Sequence, residues 1–137
     1  MNTSHITGIQ VPEELRQDFT GKLFGIHYSL YLEPTIFLFA DRLSSEYHGG
    51  YWQFYTLSNR GFYMAPENDN FQVVSENGWQ GSMSADAFGL TACLFAFSHL
   101  SFSDSEALAQ LCARHFHLLR DFALDHGEVR AILAAID

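Results

Sequence analysis

Residues 49–66, GGYWQFYTLSNRGFYMAP, join a pair of glycines that ends a helical pattern to two runs of aromatic and β-forming side chains. We interpret Tyr51–Leu57 and Phe62–Ala65 as β-strands. The residues between them, Asn59-Arg60-Gly61, are typical of a hairpin turn. The segment therefore predicts an antiparallel strand pair in the middle of the chain.

A second strand pair is predicted after the polar loop of residues 67–70. Phe71–Ser75 and Trp79–Met83 flank Glu76-Asn77-Gly78, and an Asn-Gly pair supplies the positive φ angles that a tight type I′ turn requires. Because consecutive short strands usually pair in sequence order, these four strands predict a four-stranded antiparallel meander.

Two helices are predicted before the meander. Pro12 followed by acidic residues is typical of a first helical turn, and this short helix is expected to end near Gly21. From about Tyr28, apolar residues recur at steps of three or four, which places them on one face of a longer helix. Pro34 either kinks that helix or begins it. The apolar positions are Leu32, Ile36, Phe39, Leu43 and Tyr47.

The segment after the meander predicts a helix that is apolar on all sides. Ser84 can cap it, and the helix is expected to run from Ala85 to about Ser98. Since almost no polar face is left, this helix should form the buried centre of the domain. Replacing Phe95 by alanine is accordingly expected to cost about 3–5 kcal/mol. The large apolar residues are Phe88, Leu90, Leu94, Phe95 and Phe97.

Two further helices are predicted near the C-terminal end of the sequence. Ser103 with Glu106 forms a capping box for the first of them, which Gly127 stops. Helices before and after an antiparallel sheet define an α+β class, in which the meander packs with N-terminal and C-terminal helices. The last helix carries the apolar residues Val129, Ile132, Leu133 and Ile136.

Length and charge limit the class of protein. The 137 residues predict one domain over residues 1–137, with about the first ten residues flexible. The 16 acidic and 7 basic residues give a formal net charge of -9, and the basic residues are scattered singly along the sequence. Binding to nucleic acid or to a membrane is therefore not expected. The polar first residues show no secretory pattern, so a cytoplasmic location is expected.

Histidine and cysteine residues raise the question of a metal site or a nucleophile. Cys112 and His115 share a helix face, but His117 lies about 200° from His115, so the three are not expected to bind one ion. Cys93 lies inside the apolar helix, where packing explains it better than a catalytic pair with His99 does. No metal or other cofactor is expected.

The loops of the predicted meander carry a group of acids. We interpret them as solvated turn residues, in preference to an acid and base pair for catalysis. These acids are Glu67, Asp69, Glu76 and Asp86.

Large side chains occupy both faces of the first strand pair. A half-exposed sheet alternates apolar and polar residues, so this pair is either covered on both faces or presents an aromatic patch to a partner. We favour burial between helices, and the partner-binding patch remains the alternative.

Three motifs carry a resemblance to a known family. They are GGYWQFYTLSNRGFYMAP (49–66), Asn77-Gly78 with GSMSADA (81–87), and SHLSF (98–102). In these motifs, in length and in the order of its elements, the chain resembles the plasmid-borne antirestriction proteins of the ArdB/KlcA kind. Arg60 is a departure, because the family usually has Asn-Gly-Gly at this turn.

The resemblance implies a small, non-enzymatic α+β protein of a mobile element that protects incoming unmodified DNA from type I restriction endonucleases. Its partner would be the type I restriction-modification complex. Because 16 dispersed acids cannot form a continuous phosphate-like stripe, we expect protein contact instead of DNA mimicry. The alternative is a small histidine-dependent hydrolase or metal enzyme that uses His99 or His115. The candidate contact residues are Trp52, Tyr55, Tyr63, Glu67 and Asp69.

Overall fold

Within residues 5–67 and 70–137, the part of the chain that the computed structural model describes, the fold contains two antiparallel sheets and five α-helices. The strands are β1 (Gly8–Gln10), β2 (Trp52–Leu57), β3 (Phe62–Pro66), β4 (Asn70–Val74) and β5 (Gln80–Ser84). The α-helices are α1 (Arg16–Phe24), α2 (Glu33–Leu43), α3 (Ala85–Leu100), α4 (Glu106–Ala123) and α5 (Val129–Ile136). The α+β class is confirmed.

The four predicted strands are present, but they are divided between two sheets. β1, β2 and β3 form a three-stranded sheet in that order, whereas β4 and β5 form a separate two-stranded sheet. The edge of β3 that β4 would occupy lies against α3, where the Cys93 thiol donates to the Met64 carbonyl oxygen at 3.6 Å. The single four-stranded meander is therefore corrected to two sheets that are separated by α3.

Strand β1 was not predicted from the sequence. The prediction was that about the first ten residues are flexible. Gly8–Gln10 pair with β2 in antiparallel register, with Ile9 opposite Thr56. The pairing extends one residue further, because the Val11 amide donates to the Phe54 carbonyl oxygen at 2.7 Å. Residues 8–10 thus belong to the sheet, while residues 1–4 lie outside the described residues.

The helices before β2 begin and end at different residues than predicted. A 3-10 turn over Glu13–Leu15 precedes α1, which continues past Gly21 to Phe24 and ends where Gly25 takes a φ of 59°. A π-helical turn leads into α2, and Pro34 lies in the first turn of α2, so it begins this helix. α2 ends at Leu43, and Tyr47 lies in the following loop with its side chain still buried.

Helix α3 confirms the predicted buried centre. The Ser84 hydroxyl caps it by accepting from the Ala87 amide at 3.1 Å, and twelve of its sixteen residues are buried. It contacts β3, β4 and β5 and three other helices, which explains why no side of it is polar. Phe95 is an exception among its large apolar residues, because this side chain is only half-buried.

The N-cap of helix α4 lies two residues later than predicted. The Ser105 hydroxyl accepts from the Leu108 amide, whereas the Ser103 hydroxyl accepts from the Ser105 amide at 3.1 Å. The cap is therefore Ser105, because the Ser103 hydroxyl forms its hydrogen bond within the loop that precedes the helix. The last short helix is confirmed as α5.

Length and apolar content decide whether a helix among the described residues could cross a membrane. None of the single helices there is both long and apolar enough to cross a membrane. Two consecutive helical segments, Glu13–Phe24 and Tyr28–Leu43, reach the required length and composition only together, and a bend of 96° separates them.

Candidate functional site

The aromatic residues of β2 and β3 are largely interior. Trp52 is 3% exposed and Tyr63 is 4% exposed. The Trp52 indole donates to the Tyr47 hydroxyl at 3.0 Å and packs edge-on against Phe37, with ring centroids 5.3 Å apart. Side chains this buried contact no partner in this fold, so Trp52 and Tyr63 are corrected from surface anchors to core residues.

Tyr63 connects the three-stranded sheet to the first turn of α3. Its hydroxyl donates to Asp86 Oδ1 at 2.7 Å, and its ring stacks on Tyr55 with centroids 4.8 Å apart. Burial raises the pKa of Tyr63, and the negative charge of Asp86 raises it further. Tyr63 therefore stays protonated and acts as a fixed hydrogen-bond donor beside Tyr55, its partner on the adjacent strand.

Tyr55 and Glu67 remain accessible on the same face of this sheet. Tyr55 is half-buried and Glu67 is exposed. Gln53 lies beside them, donates to a carboxylate oxygen of Glu67, and accepts from the Gln10 side chain at 2.6 Å. We call Gln10, Gln53, Tyr55 and Glu67 the Tyr55 surface. Asp69 lies outside the described residues, so its predicted role remains a prediction.

A polar network behind the Tyr55 surface joins three parts of the fold. Asp86 Oδ2 lies 2.8 Å from His126 Nε2. His126 Nδ1 accepts from the Glu128 amide at 2.9 Å, which assigns the ring proton to Nε2 and makes the imidazole the donor to Asp86. The Glu128 carboxylate in turn accepts from the Ser84 amide at 2.9 Å. The network fastens the turn between α4 and α5 to the start of α3.

Asp86 is therefore more than a solvated turn residue. Burial acts to raise its pKa, but hydrogen bonds from His126 and Tyr63 outweigh burial and hold the pKa below its ordinary value. The ionised carboxylate is also well placed in the first turn of α3, where the helix dipole favours negative charge. Sequence reasoning missed the pair of Asp86 and His126, because 40 positions separate the two residues.

The cysteine and histidine residues considered for catalysis have separate surroundings. Burial raises the pKa of Cys93 to about 12 and that of Cys112 to about 11, so both are thiols at neutral pH. His99 is exposed and packs edge-on against Phe39. Within residues 5–67 and 70–137, no three His, Cys, Asp or Glu side chains are grouped so that they could hold a metal ion.

His115 is the most buried histidine among those considered. It is 3% exposed, and its ring lies 4.6 Å from that of Phe24 and 5.5 Å from that of Phe97. Burial, assisted by the charge of Arg114, lowers the pKa of His115 to about 4. His115 is therefore neutral at pH 7, and protonating it would place a charge between two aromatic rings.

Acid should destabilise the protein as the pH falls from 6.5 toward 4. The unfolded chain protonates His115 near its ordinary pKa of 6.5, whereas the folded chain does so near 4. In this interval the unfolded state binds more protons, so the free energy of unfolding decreases as the pH is lowered. A pKa lowered from 6.5 to about 4 corresponds to a loss of about 3 kcal/mol. Urea unfolding across this pH range measures the loss.

The charged groups that line the cavity beside His115 are all basic, and Arg114 opposes the protonation of His115. They are Lys22 of α1, Arg60 of the β2–β3 turn and Arg114 of α4. The substitution His115→Phe should remove the decrease in stability over this interval, whereas His117→Gln on the exposed side of α4 should keep it. Asp86 titrates separately, below 3.8. An unchanged pH dependence in His115→Phe would contradict the assignment.

Comparison with known proteins agrees with the resemblance. The family model described as antirestriction protein matches residues 45–137. The antirestriction protein KlcA of Escherichia coli is 42% identical over 143 residues, which covers 98% of this chain and 95% of KlcA. The uncharacterized protein YafX of Escherichia coli K12 is 42% identical over 138 residues, with 96% and 88% covered.

A solved structure matches the whole fold. It has a TM-score of 0.90 and 38% identity, and the match covers 100% of both chains. That structure is described as one of the KlcA and ArdB proteins, which show a novel fold and antirestriction activity against Type I DNA restriction systems in vivo but not in vitro. The chain therefore belongs to the antirestriction protein family.

Proposed function

We propose that this protein protects incoming DNA from host type I restriction enzymes by contacting the restriction machinery, and that it works as an inhibitor without catalysis. The observation that carries the proposal is the match over the full chain, at a TM-score of 0.90, to the structure of proteins with this activity in vivo. The family assignment over residues 45–137 supports it independently of the fold.

The charge of the chain argues against a role as a DNA decoy. DNA carries one negative charge per ~1.7 Å of helix axis, so imitating about 40 Å of duplex takes roughly twenty ordered charges on one face. The chain has 16 acids in total and 7 basic residues among them. The formal net charge of -9 is better suited to attracting a basic, DNA-handling protein over a distance.

The behaviour of the KlcA and ArdB proteins also favours protein contact over DNA mimicry. A DNA decoy inhibits by binding directly to the enzyme, so it would also inhibit in a mixture of the two purified proteins. Activity in vivo but not in vitro is instead typical of an inhibitor that needs a further component of the cell. We therefore propose that this chain also acts together with cellular machinery, and that it leaves the DNA channel of a purified enzyme free.

The Tyr55 surface is the contact region that we assign to this function. Tyr55 offers an aromatic ring that is held in place by the stacked ring of Tyr63, its neighbour on the adjacent strand. Glu67 adds an exposed negative charge beside it. An aromatic anchor with an acidic neighbour fits a partner surface that carries arginine or lysine around an apolar recess.

Unmodified phage should plate efficiently on cells with a type I restriction system when this protein is expressed. The substitution Glu67→Lys should reduce that protection, because it reverses the charge beside Tyr55. Glu76→Lys changes the net charge by the same amount at another exposed loop and should keep the protection. The measurement is the plating efficiency relative to a non-restricting host, with expression levels matched by immunoblot.

A second measurement distinguishes inhibition by protein contact from inhibition by DNA mimicry. Purified protein is added to a type I enzyme bound to a labelled duplex, and the bound DNA is measured. We expect the duplex to stay bound, and its stoichiometric displacement would establish a decoy.

The plating experiment has two contradicting outcomes. Equal loss of protection in Glu67→Lys and Glu76→Lys would remove the Tyr55 surface from the mechanism. Unchanged plating across several type I systems would overturn the proposed function.

A further inference from the structure

A cavity of about 420 Å³ opens between α1, the β2–β3 turn and α4. Its wall includes Lys22 and Leu23 from α1, Arg60 from the turn, and Arg114, His115 and Leu118 from α4. The volume lies within the roughly 300–1,000 Å³ that is typical of pockets for small molecules. The cavity is separate from the Tyr55 surface and is not part of the proposed antirestriction function.

The charge of this cavity is opposite to that of the protein. Three of the chain's 7 basic residues line it, although the formal net charge is -9. Among the described residues that form its wall, there is no Asp or Glu. Lys22 pairs with Asp18 at 3.5 Å in an exposed position, and such surface pairs exchange readily with water. The basic residues that look scattered along the sequence are thus partly gathered by the fold.

The turn holds Arg60 in a backbone conformation that favours glycine. Arg60 has a φ of 74°, and in the described ranges it is the one non-glycine residue with a positive φ. The Asn59 side chain fixes the turn, because it accepts from the Gly61 amide at 2.9 Å and donates to the Leu118 carbonyl oxygen at 2.9 Å. An arginine that is kept in a strained backbone conformation, in a turn that Asn59 ties to α4, suggests a use for its side chain at this place.

His115 supplies an independent indication of a ligand. Its side chain is 3% exposed and lines the cavity, and its Nδ1 has no hydrogen-bond partner among the described residues. Buried polar atoms of side chains are usually hydrogen-bonded, so the unpartnered Nδ1 leaves a hydrogen bond open in a side chain that lines the cavity, and a water molecule or a bound group would supply it.

We propose that this cavity binds the phosphate group of a small molecule through Lys22, Arg60 and Arg114. Guanidinium groups match phosphate oxygens in a planar, two-point geometry, and a lysine ammonium adds a mobile third charge. Leu23 and Leu118 form an apolar wall for an organic body attached to the phosphate. A phosphomonoester, such as a nucleoside monophosphate, has both parts, and free inorganic phosphate shares the charged one.

The test titrates the purified protein with inorganic phosphate and, separately, with AMP at constant ionic strength. Binding is followed by the backbone amide signals in ¹H–¹⁵N NMR spectra. We expect saturable shifts that are centred on residues 59–61 and 114–118. Tighter binding of AMP supports a phosphomonoester as the ligand, and equal affinities support the phosphate group alone.

Matched variants decide which charges bind. Arg60→Gly relieves the positive φ and keeps the turn, and it should weaken binding about tenfold, as loss of a charge-assisted hydrogen bond does. Arg114→Gln should have a similar effect. Arg130→Gln removes one exposed charge from α5, outside the cavity, and should bind like the parent protein.

Three outcomes would overturn the proposal. They are the absence of saturation with both probes, the same affinity in Arg60→Gly and Arg130→Gln, and shifts that spread over the surface without a centre at the cavity. Displacement of bound AMP by a short DNA duplex of higher affinity would also overturn it, since the site would then belong to nucleic acid.

Discussion

The substitution Gly89→Ala should destabilise the protein by about 3 kcal/mol or more, or prevent folding. A Cβ atom at Gly89 would lie 2.4 Å from Ala65 Cα and 2.5 Å from the Met64 carbonyl oxygen. Both are backbone atoms of β3, so they cannot rotate away as the end of a flexible side chain could. The helix and the strand would have to separate, which opens the contact between α3 and β3.

Gly21→Ala is the matched control for this prediction. Gly21 also lies within a helix, and its added Cβ would meet none of the described residues within 4 Å. Here the higher helix propensity of alanine should stabilise the protein by roughly 0.5–1 kcal/mol. Urea unfolding of both variants and the parent gives the two differences. If Gly89→Ala were as stable as the parent protein, the close packing of α3 on β3 would be wrong.

Phe88→Ala should cost about 3–5 kcal/mol. Phe88 is fully buried, and its ring stacks on that of Phe71 with centroids 4.2 Å apart and an angle of 22°. Phe71 belongs to β4, so this pair connects the two-stranded sheet to α3. Truncation leaves a cavity between these elements that the neighbouring strands can fill only in part. The measurement is the free energy of unfolding in urea.

Phe95→Ala provides the comparison on the same helix. Phe95 also stacks on another phenylalanine, Phe39, with centroids 5.4 Å apart, but it is half-buried. Its truncation should therefore cost about half as much as that of Phe88, roughly 1.5–2.5 kcal/mol. This corrects the larger cost expected from the sequence alone. Equal costs at the two positions would contradict the burial of the two rings.

The strands and helices were predictable where local chemistry determines them. Ser84 caps α3 as expected, and Gly78 has a positive φ of 94°. Among the described non-glycine residues only Arg60 has a positive φ, so the type I′ turn predicted at Asn77-Gly78, which needs a positive φ at both residues, is wrong. The division into two sheets was not predictable, because it depends on α3 lying against the edge of β3. That placement requires Gly89, whose role appears only when strand and helix are brought together. β1 was missed because three residues are too few for a strand pattern.

The site residues were predictable only in part, because their exposure depends on where the helices pack. Both faces of β3 carry apolar side chains, which left burial and exposure as open alternatives until the helices were placed. Burial removes Trp52 and Tyr63 from the surface, and Tyr55 and Glu67 stay on it. The cavity lined by Lys22, Arg60 and Arg114 combines residues that lie 38 and 54 positions apart in the sequence. No spacing rule relates such distant residues.

The apolar character of α3 on all sides has a consequence for how the protein opens. Sheets and helices on every side of α3 cover its surface, so the departure of any one of them exposes apolar side chains to water. We therefore expect these elements to unfold as one cooperative unit, with amide hydrogens that exchange with solvent only through global unfolding. β1 contacts mainly β2 and covers little of α3, so it can detach by a local opening while the rest of the fold persists.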